Sequence, residues 1–295
     1  MVIIMERNQE TAKSTIAALI TIFLWSSAFP AVKYLLDYYS AESIMLFRFL
    51  VASLTLLLII AIKKAKIPEK KDLPLFALAG FVGIFLYMWL FNTGADAVPS
   101  GVSSFLIASA PVFTMLFSIF ILKEKVRLFS WIGMFVSLCG LIVITMSQMV
   151  GFVLNMGVVL LVGASISTSL YIIIQRQLIK KYTPLEATAY SVFLGTLFMF
   201  VFFPDFIRDI PGVPLMANMI AVYLGVFPAA IAYLSWSYAL SKARSTTHVT
   251  MFLYLVPFLA IVLAFLWLDE RISPTAFIGG IVIILGMFIS NRWGK

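Results

Sequence analysis

SAPVFTMLFSIFILKEK (residues 109–125) and LVPFLAIVLAFLWLDER (residues 255–271) are one pattern written twice. Pro111 falls on Pro257, Leu122 on Leu268 and Glu124 on Glu270, at a constant offset of 146. The register runs without a gap from 91–143 onto 237–289 and carries Gly133 onto Gly279 and Gly140 onto Gly286. Only eight of the 53 pairs are identical, so the order of Pro, Glu, Gly and Gly identifies the duplication rather than bulk similarity. Working outward, Tyr87 falls on Tyr233 at the same offset, and Ser40-Ala41-Glu42 falls on Pro184-Leu185-Glu186 at an offset of 144. The chain therefore reads as two copies of one unit.

The setting of that unit follows from composition. Of 295 residues, 62% are apolar and 12% charged. A soluble domain averages nearer 45–50% apolar and about 25% charged, and a disordered chain has few apolar residues. Apolar runs near the ~20 residues that cross a bilayer fall at about 14–36, 43–62, 73–92, 99–122, 128–147, 155–175, 187–204, 216–240, 245–268 and 274–291. Polar breaks such as Lys63-Lys64-Ala65-Lys66-Ile67-Pro68-Glu69-Lys70-Lys71 separate them. The expectation is an all-α membrane protein with ten transmembrane helices in two five-helix repeats. The first run, preceded by Glu6, Arg7, Glu10 and Lys13, reads as a retained helix rather than a signal peptide. The expected organisation is a tail at 1–13, a first repeat at 14–147, a connection at 148–154, a second repeat at 155–291 and a tail at 292–295.

Charge orients the bundle. With ten spans, 17 Lys and Arg fall on one side, among them Lys123, Lys125, Arg127, Lys242 and Arg244, and only Arg208 and Arg271 on the other. The side rich in basic residues is the cytoplasmic one, which places both termini in the cytoplasm. The net charge of +8 belongs to these connections and calls for no nucleic-acid partner. An odd number of helices per unit turns the second copy upside down. The matching corners agree, Lys123-Glu124-Lys125 being net positive and Asp269-Glu270-Arg271 net negative. Inverted repeats recur in secondary transporters, with substrate near the midplane.

The same residues carry a family resemblance. Leu24-Trp25-Ser26-Ser27-Ala28-Phe29, Leu46-Phe47-Arg48-Phe49-Leu50, the Ala110-Pro111…Leu122-Lys123-Glu124 and Val256-Pro257…Leu268-Asp269-Glu270 pairs, and the glycines Gly133, Gly140, Gly279 and Gly286 stand in the order seen in the EamA family of the drug/metabolite transporter superfamily. The chain resembles that family over about residues 14–290. It departs in having Ser26 after Trp25, and Ser169 and Val192 where a second Trp and Arg would match. The resemblance implies two inverted repeats and transport of a small molecule, often export, without implying a substrate.

Candidate residues are few. Lys33 and Arg48 are the only cations inside spans, where a charge is costly and faces a cavity or partner. Lys33, near the end of helix 1, can snorkel to the interface. Arg48 can pair with Glu42, Asp37 or backbone carbonyls, or clamp a substrate carboxylate or phosphate. Trp25, Tyr87, Asn92, Tyr171, Tyr233, Trp236 and Tyr254 can complete a cavity for an amphipathic molecule or simply pack. Pro111 and Pro257, midway along helices 4 and 9, are candidate kinks that free the carbonyls of Ile107 and Leu253. Gly80, Gly83 and Tyr87 share a face, and the Gly133/Gly140 and Gly279/Gly286 pairs mark close helix contacts, within the bundle or between two protomers of a homodimer.

All 13 carboxylates map to tails, loops or helix ends, which weakens the case for proton coupling and leaves Glu186 and His248 as possible titrating groups. One cysteine, Cys139, and one histidine, His248, exclude a disulfide and a Cys/His zinc site, and no cofactor is implied. The same scarcity leaves no constellation for an intramembrane enzyme, and there is no GxxxxGK[ST] for ATP hydrolysis and no filter motif for a channel. The reading is a carrier in the prokaryotic plasma membrane, moving a small organic solute such as an amino acid, related metabolite or amphipathic drug by alternating access. The alternative is a lipid-carrier flippase of the same architecture.

Overall fold

The structure, a computed structural model, describes residues 2–96, 106–146, 156–268 and 274–293. The 148–154 connection and the Asp269-Glu270-Arg271 corner lie outside the described residues. Every regular element among the described residues is helical. In chain order these are α1 (Val2–Leu35), α2 (Ala41–Lys63) and α3 (Leu73–Gly80, passing through a π-helical turn at Phe81–Leu86 into Tyr87–Asp96). Then come α4 (Ala110–Phe120), α5 (Leu128–Met146) and α6 (Met156–Leu178). α7 runs from Pro184–Met199 through a 3-10 turn into Phe203–Asp209. α8 joins Leu215–Leu224, a π-helical turn at Gly225–Ile231 and Ala232–Lys242. α9 joins Thr246–Thr250, a 3-10 turn at Met251–Tyr254 and Leu255–Leu268, and α10 is Pro274–Trp293.

Seven of these helical rods are long and apolar enough to cross a membrane, and Ala110–Phe120, Leu128–Val143 and Phe277–Ser290 are shorter apolar helices. Helix α1 begins at Val2, before the start expected for the first span. The outward faces stay apolar, with Leu54 66% and Leu58 63% exposed on α2 and Phe288 58% exposed on α10. Such continuous apolar surface fits hydrocarbon rather than water.

Local signals set the helix ends. Ser40 caps α2 by accepting a hydrogen bond from the Ser43 N–H at 3.3 Å, and Lys64, in the left-handed region at φ 49°, closes it by donating its N–H to the Ile60 carbonyl. Thr183 and Glu186 form a reciprocal capping box on α7, with Pro184 in its first turn. Glu186 also accepts the Lys66 N–H at 2.7 Å, which ties the basic 2–3 connection to α7. Nearby, hydrogen bonds from Lys181 and Lys71 hold the Glu69 carboxyl below its usual range. Glu124, at the α4–α5 corner, caps α9 by accepting from the Thr246 N–H at 3.0 Å, the Thr246 hydroxyl at 2.7 Å and the Ser245 hydroxyl at 2.9 Å.

The two halves pack as antiparallel mates. On α5 and α10, a Cβ on Gly133 would lie 2.5 Å from the Gly286 carbonyl, and one on Gly140 would lie 2.6 Å from the Gly279 carbonyl. As residue numbers rise on α5 they fall on α10. The repeated glycines therefore face one another across the repeats, and the close contact expected of them lies inside the bundle. Between them Ser137 donates to the Ile283 carbonyl at 3.2 Å, and 283 is the repeat position of 137. Helices α2 and α7 are likewise mates in contact, through Phe47–Phe206 and the Ser53–Thr196 hydroxyl pair at 2.9 Å.

This seam leaves no room for a methyl group. Gly286→Ala would set its Cβ 2.5 Å from the Gly133 carbonyl, so the two backbones must separate. We expect a loss of about 1–3 kcal/mol and a lower melting temperature of the purified protein, without a change of oligomeric state. Gly163→Ala is the control: its Cβ would meet Leu90 at an ordinary 3.5 Å, so the better helix propensity of alanine should leave stability unchanged or raise it by up to about 1 kcal/mol. Equal losses at both positions would contradict the packing described.

Candidate functional site

Both π-helical turns stand just before a repeated tyrosine. Phe81–Leu86 precedes Tyr87, and Gly225–Ile231 precedes Tyr233 by one residue. A π turn widens the helix and turns a few backbone groups away from their usual partners. Here carbonyls of both turns also accept side-chain hydrogen bonds from a neighbouring helix. Ser167 of α6 donates to the Val82 carbonyl at 2.6 Å, and the Trp25 indole Nε1–H of α1 donates to the Pro228 carbonyl at 3.1 Å. Val82 and Pro228 are repeat positions, so the two halves solve the same problem at the same place. Glycines make the approach possible: a Cβ on Gly83 would fall within the Tyr171 ring, and one on Gly225 would lie 2.8 Å from the Arg48 carbonyl.

The proline positions behave similarly. A turn at Ala108–Ser109 interrupts the helical backbone just before Pro111, which sits in the first turn of α4. Pro257 likewise sits in the first turn of Leu255–Leu268, after the 3-10 turn of α9. A 3-10 or turn segment tightens the backbone before the proline, so the break precedes the ring instead of centring on it. The Ser165 hydroxyl donates to the Leu106 carbonyl, with the Ile107 carbonyl farther off at 3.3 Å. The carbonyls immediately before the two prolines, Ala110 and Val256, lie 2.9 Å from the Ser169 hydroxyl of α6 and 3.2 Å from the Ser26 hydroxyl of α1, which are shared with the Ser165 and Ile22 carbonyls of their own helices. Ala110 and Val256 are repeat positions too.

Around these breaks lies an aromatic cluster centred on Tyr233. Its ring meets Trp25 edge-on at 5.4 Å, Tyr171 at 5.9 Å and Phe49 at 6.0 Å. Trp236 packs on Trp25 at 5.3 Å. Tyr171 accepts the Gln175 side-chain N–H at 2.6 Å. Trp236 and Tyr254 are fully buried in the same core.

Arg48 lies at the edge of this cluster. It is 8% exposed, with its guanidinium carbon 5.6 Å from the Phe49 ring centroid. Tyr87 and Tyr233 are its electrostatic neighbours. It makes no ion pair with Glu42 or Asp37 and no hydrogen bond among the described residues, and its Nε–H has no acceptor. That removes the pairing alternatives open at the sequence level. Trp236 Nε1–H, the Tyr254 hydroxyl, Thr114 Oγ1 and Gln175 Oε1 are also buried without partners. An unpaired buried polar group costs ~1–3 kcal/mol, and a buried unpaired charge costs more. Arg48, Trp236 and Gln175 lie in or beside the aromatic cluster, which makes it the candidate recognition site. Two of the three unpartnered atoms are donors, which suits a ligand with acceptors beside an apolar body.

Other expected residues are placed elsewhere. Lys33 is exposed in the last turn of α1, outside the cluster. Asn92 is half-buried further along α3, beyond the Tyr87–Phe91 stack. Glu186 serves as a cap on α7. His248 lies in the first turn of α9, against Phe252 at 6.2 Å and on the wall of a pocket at the basic end of the bundle. No group of three His, Cys, Asp or Glu able to hold a metal occurs among the described residues. Phe49, Gln175, Thr114 and the α6 serines were not singled out by the sequence. Serine spacing along α6, at 165, 167 and 169, was the signal that could have found the last of these.

A helical membrane protein of two antiparallel repeats, with a buried polar and aromatic site where broken helices meet, belongs to the architectural class of transporters. The EamA-like transporter family model matches residues 12–146 and again 155–292. The chain belongs to the EamA-like transporter family. It is 35% identical over 95% of its length to 94% of a Streptantibioticus cattleyicolor protein named "Probable terminal-alkyne amino-acid exporter". It is 32% identical over 95% of its length to 91% of the uncharacterized transporter YdfC of Bacillus subtilis. A solved crystal structure superposes over 96% of this chain and 98% of its own with a TM-score of 0.79 at 16% identity, a likeness of fold.

The matched serines offer a direct check. Ser169→Ala and Ser26→Ala each strip the donor from a carbonyl that precedes a proline. Each should lower the unfolding free energy in detergent by about 0.6 kcal/mol, and by no more than about 1.7 kcal/mol. If neither variant shifts the denaturation midpoint, other groups satisfy these breaks.

Proposed function

We propose that this chain is a secondary carrier that moves a small organic solute bearing a carboxylate, such as an amino acid or related metabolite, across the plasma membrane by alternating access, in the direction of export. The observation that carries this reading is Arg48, a buried cation with no acid among the described residues, set beside an aromatic cluster. A cation held in an apolar phase needs a counter-ion. A transported carboxylate supplies one, and the guanidinium fork matches its two oxygens. The Trp25, Tyr171, Tyr233 and Trp236 rings offer apolar walls to the rest of the solute. The reading on substrate class and direction is supported by the relative named as an amino-acid exporter.

Under this proposal the seven long spans and three shorter apolar helices make ten crossings, with both termini in the cytoplasm as the basic connections require. The solute would bind between the repeats and meet each side of the membrane in turn.

The experiment is counterflow into proteoliposomes preloaded with unlabelled solute, screening labelled amino acids against an amphipathic cation and a lipid-linked competitor. Saturable uptake of an amino acid that depends on internal solute is the expected result. Arg48→Gln should lower uptake at low substrate at least about 30-fold, while thermal stability holds or rises because an unpaired charge has left the interior. Arg48→Lys should retain part of the activity. Full transport of an acidic solute by a folded Arg48→Gln protein would remove the clamp, and uptake of the cation alone would remove the carboxylate from the proposal.

A further inference from the structure

A second recess lies away from the aromatic cluster, at the end of the bundle that carries the basic connections. It has a volume of about 250 Å³ and is walled by the start of α1, the α4–α5 corner, the start of α5, the α8–α9 turn and the end of α10. That is below the ~300 Å³ at which drug-sized sites begin, and it shares no residue with the cluster around Tyr233. Lys125, Arg127, Lys242 and Arg244 converge on it from two separate connections. No carboxylate lines it among the described residues.

The acids nearby are engaged elsewhere. Glu10 pairs with Lys242 at 2.8 Å, and Glu124 is taken by Ser245 and Thr246. Lys125 and Arg127 make no ion pair among the described residues. Deeper in the wall, Ser290 is 3% exposed, borders the recess and forms no hydrogen bond within the described residues. By contrast the neighbouring Ser14 and Thr247 hydroxyls are already bonded, to the Ala239 carbonyl and to Ser118.

Basic residues beside a membrane fix topology without forming a site. Here, however, they surround a recess that Ser290 also lines, a donor set that fits a tetrahedral oxyanion. We propose that this recess is a binding site for a phosphate group, held by Lys125, Arg127 and Arg244 at its mouth and by the Ser290 hydroxyl within. The same chemistry arises from the headgroup of an anionic phospholipid at the cytoplasmic surface or from a soluble phosphate. A bound lipid would brace α1, α5 and α10 from outside the transport path.

The test uses the full chain purified in a neutral detergent and reads melting temperature against added dioctanoyl phosphatidylglycerol, and separately against inorganic phosphate. Stabilisation by the lipid alone assigns the site to a headgroup, and stabilisation by both assigns it to phosphate from either source. In either case, Lys125→Gln with Arg127→Gln should weaken the apparent affinity at least about tenfold. Both side chains are exposed, so this variant should fold. Ser290→Ala should weaken it severalfold without moving the melting temperature measured in the absence of ligand. Lys63→Gln with Lys70→Gln, in the other large basic connection, should change nothing. No stabilisation by either ligand overturns the proposal, as does an equal loss in the Lys63/Lys70 control, which would mean that only general charge is felt.

Discussion

The fold depends on one constraint: a backbone carbonyl released inside an apolar phase must find a donor. This chain breaks its helices beside the site at four places, two π turns and two segments that precede a proline. Beside each break a backbone carbonyl accepts a hydrogen bond from a side chain of α1 or α6. In the first half the acceptors are Val82 and Ala110, served by Ser167 and Ser169. In the second half they are Pro228 and Val256, served by Trp25 and Ser26. Helices α1 and α6 thus act as the donor rails of the two halves. The duplication has preserved the positions of these acceptors, while the donors differ between the halves, a serine serving Val82 and a tryptophan serving Pro228.

That change explains why the site is asymmetric on a symmetric frame. Where α6 uses the small Ser167, α1 uses Trp25, which donates from one edge while its rings pack on Tyr233 and Trp236. Where α2 carries Arg48, the matching position on α7 is Val192, fully buried. The first repeat contributes the charge through Arg48 and the second most of the ring surface through Tyr233 and Trp236. A solute lying between them would be oriented, with its polar end toward α2. Two identical halves would offer two equivalent poses and no direction.

Much of this was legible in the sequence because duplication writes its own register. The glycine pairs, the prolines, Tyr87 with Tyr233 and the charge reversal at the corners all emerged from one offset. The aromatic and arginine candidates stood out because charge and polar rings are scarce in spans. What stayed hidden was backbone. A π turn leaves no residue signature beyond a glycine or proline in its neighbourhood, so α3 and α8 read as plain helices. The break before Pro111 shifted the expected kink for the same reason. Phe49 and Gln175 were hidden because an apolar or amide side chain in an apolar run is unremarkable until its neighbours are known. Glu186 looked like a titrating group because its position near a span end was visible and its capping partners, Thr183 and the Lys66 N–H, were not.

The placement of rigid and broken elements bears on how such a frame can move. Helices α5 and α10 meet backbone to backbone through glycines whose Cβ positions are already occupied. Sliding either helix would drive carbonyl against carbonyl, so this seam is the part of the molecule least able to change. The four breaks beside the site lie instead on α3, α4, α8 and α9, and each is met by side-chain hydrogen bonds, which cost little to exchange. The Glu124 cap on α9 is another such link between the halves, made at the basic end of the bundle. The alternating access proposed for this frame would therefore hinge on these helices and pivot about the α5–α10 seam. Because the seam relates the two halves antiparallel, a tilt that parts them at one end closes them at the other.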